Sequence, residues 1–302
     1  MHLLFIFLDG VGHGVPDPTV NPFANTPTPT LDQLAGGSFL EPTTPQLDAR
    51  LDMPGLPQSA TGQASLLTGR NAAHAMGRHY GPWPGPTLHT FLAEGNLFQR
   101  ALHHFGTDGV RWASAYPDGF FRALARRALR LNAPAHCAHE AGIELPTLDA
   151  YTRGEAVAAD LDGAAFAAWG VTPPGGHATG PEGAYAAGVR LAELASQRAF
   201  TFLDVWTTDR AGHAADAHAA RTLITNLDAF LAGALEAREE HVTLLVTSDH
   251  GNLEDLTHGR HTMAPVPLLT QGPQADAFAH ARSILDVAPV IEAHWRERAG
   301  NA

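Results

Sequence analysis

The stretch LLFIFLDG, residues 3–10, decides the fold class. Leu3–Leu8 is apolar throughout, and the run ends abruptly in an acid and a glycine. Such a continuous run is typical of a strand that is buried on both faces, as in a mostly parallel sheet covered by helices. Apolar runs at 200–208 (FTFLDVWTT) and 242–249 (VTLLVTSD) lead into acids in the same way. We therefore predict an α/β fold with a mostly parallel sheet sandwiched by helices.

Strand and helix signals alternate at both ends of the chain. A further short strand is predicted at VPLLT, 266–270. Helices are predicted at Pro29–Gly36, from Ala64–Thr68 onward, at Pro181–Gln197 and at Ala214–Ala237.

The middle of the chain has a different composition. The Gly- and Pro-rich connector GRHYGPWPGP, 77–86, marks a boundary. We predict an α/β core formed by residues 1–78 and 190–302, with residues 79–189 inserted as a smaller cap. Within the cap, helices are predicted around Phe120–Leu131, Ala135–Gly142 and Gly154–Trp169, with a strand near Trp112–Tyr116.

Composition excludes several classes of partner and site. The formal net charge is −12 and no basic cluster occurs, which argues against nucleic acid and anionic membrane as partners. All 19 basic residues are arginine, so lysine chemistry is absent. The single cysteine, Cys137, excludes an internal disulfide and a cysteine-based zinc site. The first apolar run is too short to span a bilayer and lacks signal-peptide features, so we predict a cytoplasmic protein of undetermined oligomeric state.

Acids and imidazoles follow the predicted strands. Because the carboxyl ends of parallel strands meet at one edge of a sheet, these side chains are expected to gather there. The four-residue spacing of Asp209 and His213 places both on one face of a helix. The candidate ligands are Asp9, Asp209, His213, Asp249, His250 and His261.

The candidate set offers oxygen and nitrogen but no sulfur, which suits Zn²⁺ or Mn²⁺. Two such ions about 4 Å apart can hold the oxygens of an in-line phosphoryl displacement. Acids at strand ends are also common turn formers. The joint occurrence of DG, DxxGH and DHGN directly after apolar strands favours the metal interpretation.

A Ser- and Thr-rich stretch, PQSATGQASLLTG at 57–69, precedes an apolar segment. Its hydroxyl groups could cap a helix. They could instead present an oxygen where the helix dipole stabilises an anion.

The motifs together resemble those of the alkaline phosphatase superfamily, and most closely its cofactor-independent phosphoglycerate mutase and phosphopentomutase branch. The matching motifs are FLDGVG, DRAGH, TSDHGNLED and HTMAPVP. The resemblance implies two divalent ions, Mn²⁺ in preference to Zn²⁺. It assigns Asp9, Ser59, Asp249 and His250 to one ion, and Asp209, His213 and His261 to the other.

The same resemblance identifies Ser59 as the nucleophile, placed just before a helix. The mutase pattern S-E-V-G-H aligns with residues 59–63, and the sulfatase pattern C-x-P-S-R-x-S-L-L-T-G aligns Ser59 with the reactive cysteine. Thr61 is the alternative. Gln63 stands where the mutases have histidine, and their active-site lysine is missing, which argues against phosphoglycerate as substrate.

We therefore expect an enzyme, a phosphomonoester hydrolase or phosphomutase that acts on a small phosphorylated metabolite through a phosphoserine. Alternatives are a non-catalytic metal- and ligand-binding homologue, or a hydrolase of a phosphodiester or sulfate. Arginine binds phosphate oxygens bidentately, so further anion contacts are sought among basic residues. The candidates are Arg70, Arg78, His79 and Arg153.

Overall fold

A computed structural model describes residues 2–176 and 178–299, and a six-stranded sheet forms its centre. Four strands are parallel, and the two at one edge run antiparallel to their neighbours. The strands are β1 His2–Leu8, β2 Gln46–Leu47, β3 Val110–Trp112, β4 Phe200–Val205, β5 Val242–Ser248 and β6 Val266–Gln271, in the order β2-β6-β5-β1-β4-β3. The predicted fold class, a mostly parallel α/β sheet, is confirmed.

Helices cover both faces of the sheet. They are α1 Pro29–Leu34, α2 Ser59–Thr68, α3 Ala72–Met76, α4 Pro86–Ala93, α5 Leu97–Phe105, α6 Asp118–Ala125, α7 Ala133–Glu140, α8 Leu148–Thr152, α9 Ala164–Ala167, α10 Gly180–Ala195, α11 Thr207–Ala214, α12 Ala217–Glu236 and α13 Val287–Ala299. Short 3-10 helices lie at Pro22–Asn25, Thr107–Gly109, Ala275–Phe278 and Ile284–Asp286. No described helix combines the length and apolar character needed to cross a membrane.

Successive side chains of β1 point to opposite faces of the sheet and pack in two separate hydrophobic cores. Leu3, Phe5 and Phe7 pack on one face with residues of α2, α5, α7 and α13. The intervening residues of β1 pack on the other face with α1, α10 and α12. Both faces of the strand are therefore buried, which explains its unbroken apolar run.

Part of the predicted cap belongs to this layered structure. β3 pairs with β4, and the rings of Phe98 and Trp112 lie 5.2 and 5.4 Å from that of Phe202. A small separate cluster that includes Tyr151 and Phe166 forms in the remainder. The division at residues 79 and 189 stays a prediction. Residue 1, residue 177 and residues 300–302 of the predicted domains lie outside the described residues.

The predicted helix Gly154–Trp169 is wrong. Only α9 lies in that range, and an extended segment before it bridges Val157 to Ser114. The alanine-rich composition favours a helix, but Gly154 and Gly163 adopt positive φ angles. The Asp160 carboxylate also accepts hydrogen bonds from the backbone N–H groups at 163 and 165, which fixes a turn.

Two further boundaries differ from the predictions. The long helix predicted at Ala214–Ala237 starts later, because Ala215 adopts a left-handed conformation and the Asp216 side chain caps α12 by accepting hydrogen bonds from the N–H groups of residues 218 and 219. The strand predicted over 200–208 ends at Val205, where the chain turns directly into α11.

Glycines allow α10 and α12 to pack in direct backbone contact. A Cβ atom at Gly233 would lie 2.1 Å from the Tyr185 carbonyl oxygen, and one at Gly188 would lie 1.9 Å from the Phe230 carbonyl oxygen. Side chains at these positions would force the helices apart.

We expect Gly233→Ala to destabilise the protein by about 1–3 kcal/mol through overpacking. Thermal denaturation followed by circular dichroism should show a fall in Tm of roughly 2–10 °C. The control is Gly119→Ala on α6, where the nearest atom to an added Cβ is an arginine side-chain nitrogen at 3.7 Å. A Gly233→Ala protein as stable as the control would contradict this account of the helix contact.

Candidate metal centre

The parallel strands bring the candidate ligands to one edge of the sheet. Leu8 of β1 pairs with Val205 of β4 and with Ser248 of β5, so the three strands end level with one another. Asp9 follows β1 directly, and Asp249 follows β5. The loop after β4 is short because α11, which carries the next acid, begins two residues later.

A first cluster surrounds the imidazole of His250. Its Nε2 atom lies 2.9 Å from Ser59 Oγ, 3.4 Å from Asp9 Oδ1 and 3.5 Å from Asp249 Oδ2. All four side chains are buried. The arrangement groups two carboxylates, one imidazole and one hydroxyl around a single point.

A second cluster adjoins the first. Asp209 lies 3.2 Å from His213 and 3.5 Å from His261, measured from carboxylate oxygen to Nε2. The Nε2 atoms of the two imidazoles are 3.3 Å apart. The His261 ring also stacks on that of His250, with centroids 3.8 Å apart. All seven residues predicted for the site are thus brought together, and their roles as ligands stay predictions.

Ser59 lies inside a helix rather than before it, contrary to expectation. α2 begins at Ser59 itself, and Gln58 at the N-cap position makes no side-chain capping bond. The Ser59 hydroxyl faces His250 instead of capping the helix. The Thr61 hydroxyl is engaged with backbone groups of Gln58 and Tyr80.

Two observations indicate that these residues suit divalent cations, and the first concerns the buried carboxylate oxygens. Among the described residues, the buried atoms Asp9 Oδ1 and Asp249 Oδ2 accept no hydrogen bond, and His250 Nε2 approaches them only to 3.4 and 3.5 Å. Buried anionic oxygens without partners are unfavourable unless a cation or proton balances them. Buried carboxylate oxygens that accept no hydrogen bond and that point into one cluster therefore favour a bound metal.

The imidazoles are also oriented as metal ligands are. His213 Nδ1 lies 2.9 Å from the Gly259 carbonyl oxygen, and His261 Nδ1 lies 2.7 Å from that of Pro57. A carbonyl can only accept, so Nδ1 carries a proton and Nε2 is the nitrogen that faces the cluster. Backbone contacts of this kind commonly hold metal-ligating histidines.

Electrostatics in the first cluster reflect its burial. Desolvation raises the pKa of Asp9 and raises that of Asp249 well above its usual value. Burial alone would lower the pKa of His250, but the neighbouring carboxylates, Asp249 foremost, outweigh it and raise the pKa to about 10. The cluster thus attracts positive charge, as a proton or as a cation.

The second cluster shows a similar attraction. The hydrogen bond that the His213 imidazole donates to the Asp209 carboxylate raises the pKa of His213 to about 9. Burial opposes ionisation of Asp209, yet His213, His250 and Asn252 together lower its pKa to about 2. Burial lowers the pKa of His261 to about 4, so this imidazole is neutral and able to ligate at pH 7.

Glu254 joins the loops that carry the ligands, a role that the sequence did not reveal. Its Oε2 atom accepts hydrogen bonds of 2.8 Å from the backbone N–H groups of Gly12 and Asn252, and its Oε1 atom accepts one from the Thr262 hydroxyl. The loops after β1, after β5 and before β6 are therefore held by one carboxylate. Glu254 lies within the motif TSDHGNLED, but only the folded chain shows its partners.

Gln63, which replaces the histidine of the mutase pattern, orients Asp9. Its amide nitrogen lies 3.2 Å from Asp9 Oδ2, and its amide oxygen accepts a hydrogen bond from the Ala133 N–H. Gly62 allows α2 to approach this closely, because a Cβ there would lie 2.8 Å from the Asp249 carbonyl oxygen.

The four basic candidates occupy different positions. Arg70 pairs with Glu94 at 2.5 Å and lies over the Phe91 ring, and Arg153 pairs with Glu155 at 2.6 Å. These guanidinium groups are therefore engaged in contacts outside the two clusters. Arg78 lies exposed over a tyrosine ring. His79 is half-buried, and His250 lies close enough to depress its pKa, although burial is the larger cause.

Comparison of sequences confirms the resemblance to the predicted superfamily. The family model described as Metalloenzyme superfamily matches residues 181–295. The 2,3-bisphosphoglycerate-independent phosphoglycerate mutases of Dinoroseobacter shibae and Vibrio vulnificus are 39% identical over 92 residues and 36% identical over 91 residues. Each match covers 28% of this chain and 18% of the relative, so the chain matches less than a fifth of the length of these mutases.

Comparison of structures supports the same fold over almost the whole chain. The alkaline phosphatase from the Antarctic bacterium TAB5 has a TM-score of 0.57 at 13% identity, with 97% of this chain and 98% of that chain covered. A protein from Pyrococcus horikoshii has a TM-score of 0.55 at 17% identity, with 98% and 97% covered. At these identities the likeness concerns the fold alone.

We predict that metal binding releases protons and strengthens as the pH rises from 6 to 8. His213 and His250, with pKa values raised to about 9 and about 10, are protonated at pH 7 without metal and must lose protons to ligate. Titration calorimetry with Mn²⁺ in buffers of different ionisation enthalpy should report release of about two protons.

His213→Ala should reduce that number by about one. The control His258→Ala removes an imidazole paired with Asp255 outside both clusters and should leave the number unchanged. A binding enthalpy independent of the buffer would contradict the prediction.

Proposed function

We propose that the chain, as an alkaline phosphatase-superfamily metalloenzyme, is a two-metal phosphoryl-transfer enzyme acting on a small phosphorylated metabolite through a phosphoserine. The observation that carries the proposal is the position of Ser59 Oγ, 2.9 Å from His250 Nε2 and beside buried carboxylate oxygens that accept no hydrogen bond. A hydroxyl in that position adjoins the place where the ligand atoms converge.

We assign the ligands in two sets. Two divalent cations would lower the pKa of the serine hydroxyl and stabilise charge on the phosphoryl oxygens. Likeness to the mutases favours Mn²⁺, and the oxygen and nitrogen donors also suit Zn²⁺. Asp9, Ser59, Asp249 and His250 would hold one cation, and Asp209, His213 and His261 the other.

Ser59 is proposed to attack phosphorus in line. The bond from Oγ to phosphorus forms as the bond from phosphorus to the leaving oxygen breaks; the hydroxyl proton is lost and the leaving oxygen gains one. The start of α2, a ten-residue helix, presents the positive end of its dipole to Ser59 and favours the transferred anion.

The phosphoserine is then resolved by attack of an oxygen on phosphorus, which returns the Ser59 hydroxyl. Attack by water gives a phosphatase, and attack by a second hydroxyl of the substrate gives a mutase. Gln63 and Glu254 keep the surrounding groups in place, since one holds Asp9 and the other joins the ligand-bearing loops. Gln63 in place of the mutase histidine argues against phosphoglycerate as the substrate.

We expect Ser59→Ala to lower turnover of phosphomonoesters by roughly 10³-fold or more, because the nucleophile is lost. Rapid quench of the Mn²⁺-loaded wild type with ³²P-labelled substrate, followed by peptide mapping, should find the label on Ser59. Free phosphate that accumulates during the reaction would identify a hydrolase, and its absence with an isomerised product would identify a mutase.

The control is Thr61→Ser, which keeps the hydroxyl that bonds to the backbone of Tyr80. Its turnover should stay within about tenfold of the wild type. Unchanged turnover in Ser59→Ala with intact metal content, or label on Thr61, would overturn the assignment.

A further inference from the structure

A cavity of about 720 Å³ lies between α4, α6, α7 and the segment 80–86. This volume is within the range of roughly 300–1,000 Å³ that small-molecule sites occupy. The residues that give it its character are Tyr80, Trp83, Phe121, Arg127, Arg130 and His136.

The cavity adjoins the proposed nucleophile through the segment 80–86. The Tyr80 backbone exchanges hydrogen bonds with Thr61 in the first turn of α2. The next residue, Gly81, lies so close that a Cβ there would be 3.4 Å from the Ser59 nitrogen. One wall of the cavity is therefore also the flank of the catalytic helix.

α7 forms a second wall and reaches the same site. Its first residue, Ala133, donates a hydrogen bond to Gln63, which in turn holds Asp9. His136 lies one turn further along α7 and faces the cavity, stacked on His89 of α4 with centroids 4.1 Å apart. Two walls of the cavity are thus connected to the candidate metal centre through Thr61 and Gln63.

The lining combines flat rings with positive charge. Tyr80, Trp83 and Phe121 supply aromatic surface, and Trp83 is 44% exposed although it is a large apolar side chain. Arg127 and Arg130 supply two cations. Glu140 is the acidic residue of the lining, in a chain whose net charge is −12, so the cavity is positive where the protein as a whole is negative.

We propose that this cavity binds the non-phosphoryl part of the substrate, and that this part is a flat ring carrying a second anionic group. The inference rests on the proposed function and specifies its substrate class. Trp83 and its neighbours would contact the ring, and Arg130 would pair with the second anion.

Kinetics with three phosphomonoesters test the proposal on the Mn²⁺-loaded enzyme. They are 4-carboxyphenyl phosphate, phenyl phosphate and glycerol 3-phosphate, which have a charged ring, a neutral ring and no ring. Trp83→Ala should lower kcat/KM for both ring substrates at least tenfold more than for glycerol 3-phosphate. Arg130→Gln should lower it at least tenfold more for the carboxylated ring than for phenyl phosphate. Comparing each variant with the wild type on one substrate cancels differences in leaving-group reactivity.

Matched controls lie outside the cavity lining. Trp169→Ala removes a tryptophan that is 61% exposed, and Arg122→Gln removes an exposed arginine of α6. Both should leave all three kcat/KM values within twofold of the wild type. Equal losses for all three substrates in Trp83→Ala and Arg130→Gln would overturn the proposal.

A binding measurement separates this proposal from the proposed function. Titration calorimetry with 4-carboxybenzylphosphonate, which cannot be hydrolysed, should give at least tenfold weaker binding in Trp83→Ala and in Arg130→Gln than in the wild type. Such binding in an enzyme without turnover would overturn the phosphoryl-transfer function and support the cavity. Turnover with wild-type phosphonate affinity in both variants would do the reverse.

Discussion

Buried negative charge at one edge of the sheet is the constraint on which the rest of the structure depends. Asp9, Asp209 and Asp249 follow three strands that end level with one another, and their carboxylates are brought together in the protein interior. Like charges this close raise each other's pKa, and unpaired oxygens are costly to bury. Imidazoles that face the same point with free Nε2 atoms reduce the repulsion only when protonated. Divalent cations would satisfy all of these groups at once.

The surrounding fold serves to hold these groups in place. Gly62 lets α2 lie against Asp249, and the Gln63 side chain connects Asp9 to the start of α7. Glu254 joins the loops after β1 and β5. The candidate ligands lie in loops that buried hydrogen bonds hold in place. Their positions are therefore fixed before a metal binds, which favours a preorganised site over one assembled by the metal.

The sequence predicted the sheet and the edge at which the candidate ligands meet because these depend on short-range patterns. The apolar run of β1 and the four-residue spacing of Asp209 and His213 are each visible without the fold. The segment Gly154–Trp169 was mispredicted, since alanine content favours a helix whereas two positive-φ glycines and the Asp160 turn end it. The role of Glu254 depends on partners far away in sequence, so no local pattern could indicate it.

The position of Ser59 also depends on contacts between residues that are far apart in the sequence. A serine before an apolar segment is usually read as a cap, yet here the helix begins at the serine and its hydroxyl is directed at His250. Only the packing of α2 against the end of β5 determines that direction. The sequence comparisons, which match less than a fifth of the length of the mutases, support the resemblance to the superfamily, and the chemistry has to be inferred from such contacts.

The most direct test is a crystal structure of the Mn²⁺-loaded protein with data collected at the manganese absorption edge. The account predicts two anomalous peaks about 4 Å apart, one among Asp9, Asp249, His250 and Ser59 Oγ, and the other among Asp209, His213 and His261. A single peak, or none at these residues at saturating Mn²⁺ and again at saturating Zn²⁺, would contradict it.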